Sequence, residues 1–362
     1  DFNAYINLAN MKLKTKKFSE AEEYYKKALS IKNDFDANNN LGFALQRQNK
    51  LEEAELYFLI ALEINPGYGV YYNLGNNFYL KAKFKEAQNY YQKSLEINPY
   101  YREAKIALSF IQLSMKNFKE GWKNFTYSLF PNPLTEKAGI KKWGGEDLNG
   151  KTLLVYSEQG LGDNIHFARY IHHIKKMGAK VKFLCDKNLA DIISNLEYAE
   201  FIHEIENPDE IDFCCSLLEL PSLLFDLGVD DHSLVKYIKT DSNKSEDNII
   251  NLPDDKIKIG FVWKGNPNHQ YDTFRSAELK NFFTLFEIKN ACFYSLQITD
   301  AEEIEILTKE NLNFYTTNLK SKDLTEFVSK LDLVITVDTM IAHLAGTLGI
   351  PVWILLAKVC DW

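Results

Sequence analysis

The chain has 362 residues, 46% hydrophobic and 25% charged, which is enough to bury large cores in two or three domains. A net charge of −8 argues against a general nucleic-acid binder, whose affinity comes from clustered Lys and Arg, although a local basic patch stays open. No apolar run approaches the ~20 residues needed to cross a bilayer, so no transmembrane segment is expected. Cys185, Cys214, Cys215, Cys292 and Cys360 form no C-x-x-C pair and mostly lie in apolar, strand-like runs. They fit reduced, buried thiols in a cytoplasm rather than a disulfide framework or a zinc site. The chain opens on Asp1, almost inside a helical pattern, as the ordered part of a longer protein would, so a removed targeting signal stays open.

The first third repeats itself. Leu8-Ala9, Leu41-Gly42 and Leu74-Gly75 recur at 33-residue spacing, followed at constant intervals by Ala21, Ala54 and Ala87, then Tyr25, Phe58 and Tyr91, then Ala28, Ala61 and Ser94. Pro66 and Pro99 close the second and third units. Small residues where two helices cross, an aromatic to fill the groove and a closing proline describe a helix–turn–helix unit that buries its apolar face only by stacking. The pattern resembles the tetratricopeptide repeat. A fourth unit over 100–130 keeps Leu108 and Phe125 but has Gly121-Trp122 where the small residue belongs, and reads as a capping repeat. Asn7, Asn40 and Asn73 each precede the Leu of their unit and so occupy equivalent points on successive first helices. An amide that donates and accepts suits an extended peptide backbone, so a ladder of them could grip a polypeptide without reading its sequence; a solvated asparagine face is the other reading.

Residues 131–150 carry proline, glycine and charges around Trp143, as a connector packed by one aromatic would. From Lys151 strands and helices alternate: strand 152–156, helix 163–177, strand 181–185, a helix from Leu189, a strand near 200–205 and strand 212–217. Residues 240–255, polar with Pro253, read as a linker. Alternation restarts with strand 257–263, helix 277–288, strand 292–297, helix 301–309, a helix from Leu324, strand 333–337, a helix from about Thr339 to Leu348, and strand 352–356. The expected domains are thus a repeat array over 1–130, a connector over 131–150, and two Rossmann-like halves over 151–245 and 246–362 with a cleft between them.

In the first half, Glu158-Gln159-Gly160-Leu161-Gly162-Asp163-Asn164 joins the first strand to a helix, at the carboxyl edge where open α/β sheets bind ligands. One reading has Gly160 and Gly162 permit a tight turn while Asp163 caps the helix; another makes Asp163 a general base in the cleft. Dinucleotide binding, with Asp186 as the ribose acid, is disfavoured because Ile165 stands where the third glycine of Gly-x-Gly-x-x-Gly would allow close helix–strand approach. His166 is one turn into the helix and could approach the cleft, whereas His172 and His173 are expected to be packed or solvated. In the second half Lys264-Gly265-Asn266, Arg275-Ser276, Gln297, and Asp338-Thr339-Met340 with His343 follow strand ends or open helices. Each alone reads as a cap or a surface charge. Together they offer helix N-termini, a hydroxyl and two cations, which a leaving diphosphate needs when no metal neutralises it. No Asp-x-Asp stands at a strand end in either half; Asp34-Phe35-Asp36 is in a repeat turn, so no metal or other cofactor is expected.

Trp143-Gly-Gly-Glu, Gly150-Lys-Thr-Leu-Leu-Val, Glu158-Gln-Gly-Leu-Gly-Asp, Phe167-Ala-Arg-Tyr, Gly260-Phe-Val-Trp-Lys-Gly-Asn, Arg275-Ser, Ser295-Leu-Gln and Asp338-Thr-Met-Ile-Ala-His-Leu-Ala-Gly-Thr-Leu-Gly-Ile-Pro-Val form a combination spread over the remaining chain. With the repeats, it resembles bacterial tetratricopeptide-repeat proteins with a C-terminal, heptosyltransferase-like GT-B glycosyltransferase domain. It is similar in architecture to O-linked N-acetylglucosamine transferase, whose repeats feed protein acceptors through an asparagine ladder. The resemblance implies a tetratricopeptide-repeat α-solenoid followed by a GT-B pair. It implies an inverting, metal-independent transfer from a nucleotide-diphosphate sugar to a hydroxyl, with Asp163 as catalytic base. The segment from Asp338 to His343 would cradle the diphosphate, and Lys264, Arg275 and Gln297 would lie near phosphate, sugar or nucleotide. Acceptors other than protein, such as lipopolysaccharide or another glycan, stay open, as does a non-catalytic scaffold. A nucleotide-sugar epimerase shares the two halves but needs no peptide-gripping array. The chain ends at Trp362 just after a strand, where a GT-B second half usually continues, so that half is expected to be incomplete.

Overall fold

The computed structural model describes residues 1–130, 132–158, 160–196, 198–229, 236–240, 253, 255–267, 272–297, 303, 305, 313–317 and 319–357. The described chain divides into two compact units, residues 1–128 and 129–357.

The first unit is four helix pairs: α1 (Phe2–Lys14) with α2 (Phe18–Leu29), α3 (Phe35–Arg47) with α4 (Leu51–Ile64), α5 (Tyr68–Leu80) with α6 (Phe84–Ile97), and α7 (Arg102–Ser114) with α8 (Phe118–Phe125). Tyr25, Phe58 and Tyr91 are fully or almost fully buried, each in the groove of its own pair. Glycine is required opposite two of them: a Cβ on Gly75 would stand 2.5 Å from Tyr91 Cδ1, and one on Gly42 2.7 Å from Phe58 Cδ1. Within each pair the turn reverses the chain through a left-handed residue, Lys16, Asn49, Ala82 or Lys116, at φ of 59°, 61°, 58° and 61°. The following amide then donates back to the helix, as from Lys83 N–H to Phe78 O at 2.9 Å. That position recurs with the repeat but carries no glycine, so its conformation could not be seen in the sequence. Asp34 caps α3 by accepting from Ala37 N–H. In the fourth pair Trp122 is 3% exposed and edge-on to Phe125, and Gly121 lies against Leu113.

The second unit holds two all-parallel sheets. The first contains β1 (Thr152–Tyr156), β2 (Lys180–Leu184), β3 (Glu200–Ile202) and β4 (Phe213–Ser216) in the order β3-β2-β1-β4. The second contains β5 (Ile257–Val262), β6 (Ala291–Ser295), β7 (Phe314–Tyr315), β8 (Leu333–Val337) and β9 (Val352–Leu355) in the order β7-β6-β5-β8-β9. In each, the chain starts in mid-sheet, winds one way, and returns to the other side of its first strand. The strand order therefore reverses between β1 and β4 and between β5 and β8, and ligands of doubly wound sheets bind outside such points. The inner strands β1, β5, β6 and β8 are short, mostly apolar runs largely buried on both faces, as parallel sheets demand, whereas the edge strands β3, β7 and β9 are partly or largely exposed.

The connector belongs to this unit. Trp143 is 1% exposed, its Nε1–H donates to Glu146 O at 2.9 Å, and its backbone N–H donates to Cys214 O at 2.8 Å, so the connector extends the sheet beside β4. Three expected elements differ. The helix over 163–177 starts earlier and is broken into Leu161–Phe167, a 3₁₀ turn Ala168–Tyr170, and Ile171–Lys176. The helix over 277–288 is a 3₁₀ turn Leu279–Phe282 followed by Phe283–Phe286, whose Phe282, Phe283 and Phe286 pack on the core around Phe261. The helix expected from Leu324 runs Ser321–Ser329. Residues 241–252, most of the expected linker, and most of the helix expected over 301–309 lie outside the described residues, as does Cys360; the other four cysteines are buried. No described helix is long and apolar enough to cross a membrane.

Candidate functional site

In the first half, β1 ends at Tyr156 and its continuation is held to β2 by Ser157 N–H donating to Leu184 O. Gly160, in extended conformation, is the N-cap of Leu161–Phe167, and Asp163 at the third helical position reaches back to accept from Gly160 N–H at 3.2 Å. Asp163 thus closes the turn from the third helical position, as the acidic half of a capping box would, rather than as the N-cap itself; Gly160 has no side chain to supply the other half. Asn164 is 3% exposed, and its Nδ2 donates to Glu158 O (2.8 Å) and Gly160 O (2.9 Å), which fixes the loop from inside. Glu158 Oε2 accepts from Phe130 N–H, and burial pushes its carboxyl up, with Glu219 nearby adding to the shift. Gln159 lies outside the described residues. Asp186, the ribose-acid candidate, caps its own helix by accepting from Leu189 N–H.

In the second half, Gln297 Oε1 accepts from Trp263 N–H (3.3 Å) and Lys264 N–H (3.1 Å), so this side chain shapes the loop after β5. Gly265 N–H donates to Ser276 Oγ at 2.8 Å, and Asn266 follows, exposed, in the same loop. Arg275 donates through Nε to Asp272 Oδ1 (3.2 Å) and through a terminal nitrogen to Asp338 O (3.2 Å), tying the loop after β5 to the end of β8. Lys264 pairs with Glu303, which also accepts from Trp263 Nε1 at 3.0 Å. Thr339 is the N-cap of Met340–Leu348, yet its hydroxyl meets Thr336 Oγ1 (3.1 Å) instead of a helix amide.

The two constellations meet where Leu161–Phe167 packs on Met340–Leu348. A Cβ on Gly162 would stand 3.3 Å from Met340 Cα and 3.2 Å from His343 Cδ2, so the second glycine serves close helix approach rather than the turn. His166 Nδ1 and His343 Nδ1 are 3.1 Å apart. Burial raises the Asp163 carboxyl, opposed by the Gly160 N–H and by His343, while Asp338 raises it further. Burial lowers the His343 imidazole, opposed by Asp338 and Asp163. Asp163, Asp338, Thr339, Met340, His343, Arg275 and Gly265 therefore form one connected group, with Lys264 and Gln297 at its margin. Asp272, Glu303 and Tyr237 had no signal in motif or spacing. Tyr237 is 4% exposed, and its hydroxyl donates to Ile165 O at 2.5 Å, with His166 O at 3.2 Å as the longer alternative.

The asparagines belong to the repeat unit. Asn7 is exposed, Asn40 Nδ2 donates to Asn10 Oδ1 (3.5 Å), and Asn73 Nδ2 donates to Asn39 Oδ1 (2.8 Å). Tyr25 OH reaches Asn10 Oδ1 (2.5 Å) and Tyr91 OH reaches Asn76 Oδ1 (2.7 Å). Amides at successive first helices thus bond from repeat to repeat.

Family models described as Tetratricopeptide repeat match residues 2–35, 35–68 and 69–101. The chain is 24% identical over 291 residues to Protein FlbA of Caulobacter vibrioides, a match that covers 69% of this chain and 47% of FlbA. The chain thus spans about half the length of that curated relative. Similar solved structures include the MamA protein (19% identity, 35% of this chain and 70% of that one, TM-score 0.32). They also include YrrB, described as a TPR protein with an unusual peptide-binding site (24% identity, 35% and 66%, TM-score 0.31). A third is a tetratricopeptide repeat protein from Parabacteroides merdae (22% identity, 35% and 51%, TM-score 0.32). The N-terminal third of the chain is an array of tetratricopeptide repeats, a protein-interaction scaffold, and it is followed by an α/β region of parallel sheets.

Proposed function

We propose that the chain is an inverting glycosyltransferase, its two parallel-sheet halves paired as in GT-B enzymes, that moves a sugar from a nucleotide-diphosphate donor to a hydroxyl of a protein acceptor recruited by the repeats. The observation that carries this reading is the direct packing of the loop–helix junction after β1 on that after β8, which brings Asp163 beside Asp338 and His343. Each junction stands beside a strand-order reversal, where doubly wound sheets bind ligands. Asp163 takes the proton of the acceptor hydroxyl as its oxygen attacks the anomeric carbon, and the bond to the diphosphate oxygen breaks with its electron pair. Burial brings the carboxyl toward the pH at which a base both accepts a proton and is ionised. Lys264, Arg275, the Thr339 hydroxyl and the positive end of Met340–Leu348 stabilise the departing diphosphate. Lys264 does so by leaving Glu303; Arg275, already braced by Asp272 and Asp338 O, needs no such rearrangement.

The pairing of both cations with carboxylates favours one other reading, a scaffold whose α/β unit binds no sugar nucleotide. The two separate in an assay of nucleoside diphosphate release from a panel of sugar nucleotides, with a bacterial protein extract as acceptor. The transferase releases diphosphate from one donor only when extract is present, and Asp163→Asn lowers that rate by about 10²-fold or more. No release with any donor supports the scaffold.

A further inference from the structure

His166 and His343 come from different halves of the α/β unit, and their Nδ1 atoms lie 3.1 Å apart across the helix contact that Gly162 permits. The rings are nearly perpendicular, with centroids 5.0 Å apart. Two imidazole nitrogens at hydrogen-bond distance need one hydrogen between them, so one Nδ1 donates while the other offers its lone pair. A nitrogen without that hydrogen forces the ring's remaining proton onto Nε2. The pair therefore links the protonation of His343 to that of His166.

We propose that His166 is a positioning residue that sets which nitrogen of His343 carries the proton. The backbone that carries it is held by Arg169 Nε–H donating to His166 O at 2.9 Å, and its ring lies against that of Phe167, with centroids 5.2 Å apart. The groups around His343 pull in opposite directions, since Asp338 and Asp163 favour the imidazolium, whereas Arg169 and burial disfavour it. Glu219, in the turn that packs on the His166 helix, is engaged by Lys142 at 2.7 Å. Burial prevails over these charges and favours the neutral ring, so the shared hydrogen decides whether His343 Nε2 is a donor or an acceptor. As a donor, Nε2–H serves an anionic group; as an acceptor, it does not. That consequence rests on the glycosyl-transfer reading, while the position of the proton does not.

The test is long-range ¹H–¹⁵N NMR of the full chain with ¹⁵N-labelled histidine, followed over pH. Signals are assigned by loss in His166→Gln and in His343→Gln. In the wild type, His343 shows a single tautomer. In His166→Phe, which keeps a ring without nitrogens, His343 loses that tautomer preference. In His166→Gln, whose amide can donate to Nδ1, it regains one. Unchanged His343 nitrogen shifts and an unchanged titration in His166→Phe overturn the proposal. If His166→Phe does not fold, the wild-type spectrum decides alone, since a mixture of His343 tautomers there also overturns the proposal. Loss of transferase activity without these shifts concerns the proposed reaction and not the pair.

Discussion

At Asp163, burial and hydrogen bonding act against each other, and the balance has a stability signature. Its carboxyl is raised in the folded chain, so the folded state binds a proton more readily than the unfolded one. Its contribution to stability is therefore fully present below the unfolded pKa and is lost as pH rises through the folded value. Asp163→Asn keeps an oxygen for the Gly160 N–H and removes the buried charge. Thermal melting should show the variant more stable than the wild type at neutral pH, with the difference vanishing below about pH 4. A variant less stable at neutral pH would mean that the charge itself holds the turn. Glu303 offers a second check, because it neutralises Lys264 in the resting chain. Glu303→Gln should strengthen binding of a nucleoside diphosphate several-fold by calorimetry, a gain of about 1 kcal/mol, whereas unchanged or weaker binding would remove Lys264 from the phosphate role. Neither Glu303 nor Asp272 was legible in the sequence. Both sit at no strand end, and their partners are fixed by loop geometry that spacing does not encode. Gln297, expected near phosphate, sugar or nucleotide, also braces the loop after β5 through its Oε1, a local role that spacing did not show.

The repeat pairs show how a helix turn can be correct in outline and strained in detail. Four non-glycine residues take the left-handed conformation, at a cost of roughly 1 kcal/mol each. Ala82→Gly should raise stability by about 0.5–1 kcal/mol in urea unfolding, net of the extra entropy glycine loses on folding. No gain would mean that neighbouring contacts already compensate. Gly75→Ala should cost about 1–3 kcal/mol, because the new methyl meets the Tyr91 ring, which the opposing helix holds in place. The array was legible because stacking demands small and aromatic residues at fixed intervals, and periodicity records that demand directly. The α/β elements were legible as apolar runs, but their strand order was not, since order depends on which crossover packs where. Only a turn role for Gly162 was open to the sequence, since a turn is local, whereas the helix it accommodates arrives from Met340, far along the chain.

At the scale of the whole molecule, the repeats and the α/β unit divide recognition from chemistry in the proposed function. Changing Asn40 and Asn73 together to Ala should weaken capture of protein acceptors while leaving binding of sugar nucleotides unchanged. Loss of donor binding in that variant would contradict the division. The amides already bond between repeats, so part of any loss would come from a looser array, and a parallel melting curve separates the two effects. The central claim, a nucleotide-sugar site built from both halves, is met most directly by the thermal stability of the full chain against a panel of nucleoside diphosphates and sugar nucleotides. Binding to the folded state alone raises stability by about 2.7 kcal/mol at a hundredfold excess over Kd. The account predicts that one nucleotide series stabilises the wild type and Asp163→Asn, and stabilises Lys264→Ala far less. A chain that no member of the panel stabilises at millimolar concentration, or that Lys264→Ala leaves equally stabilised, would contradict it.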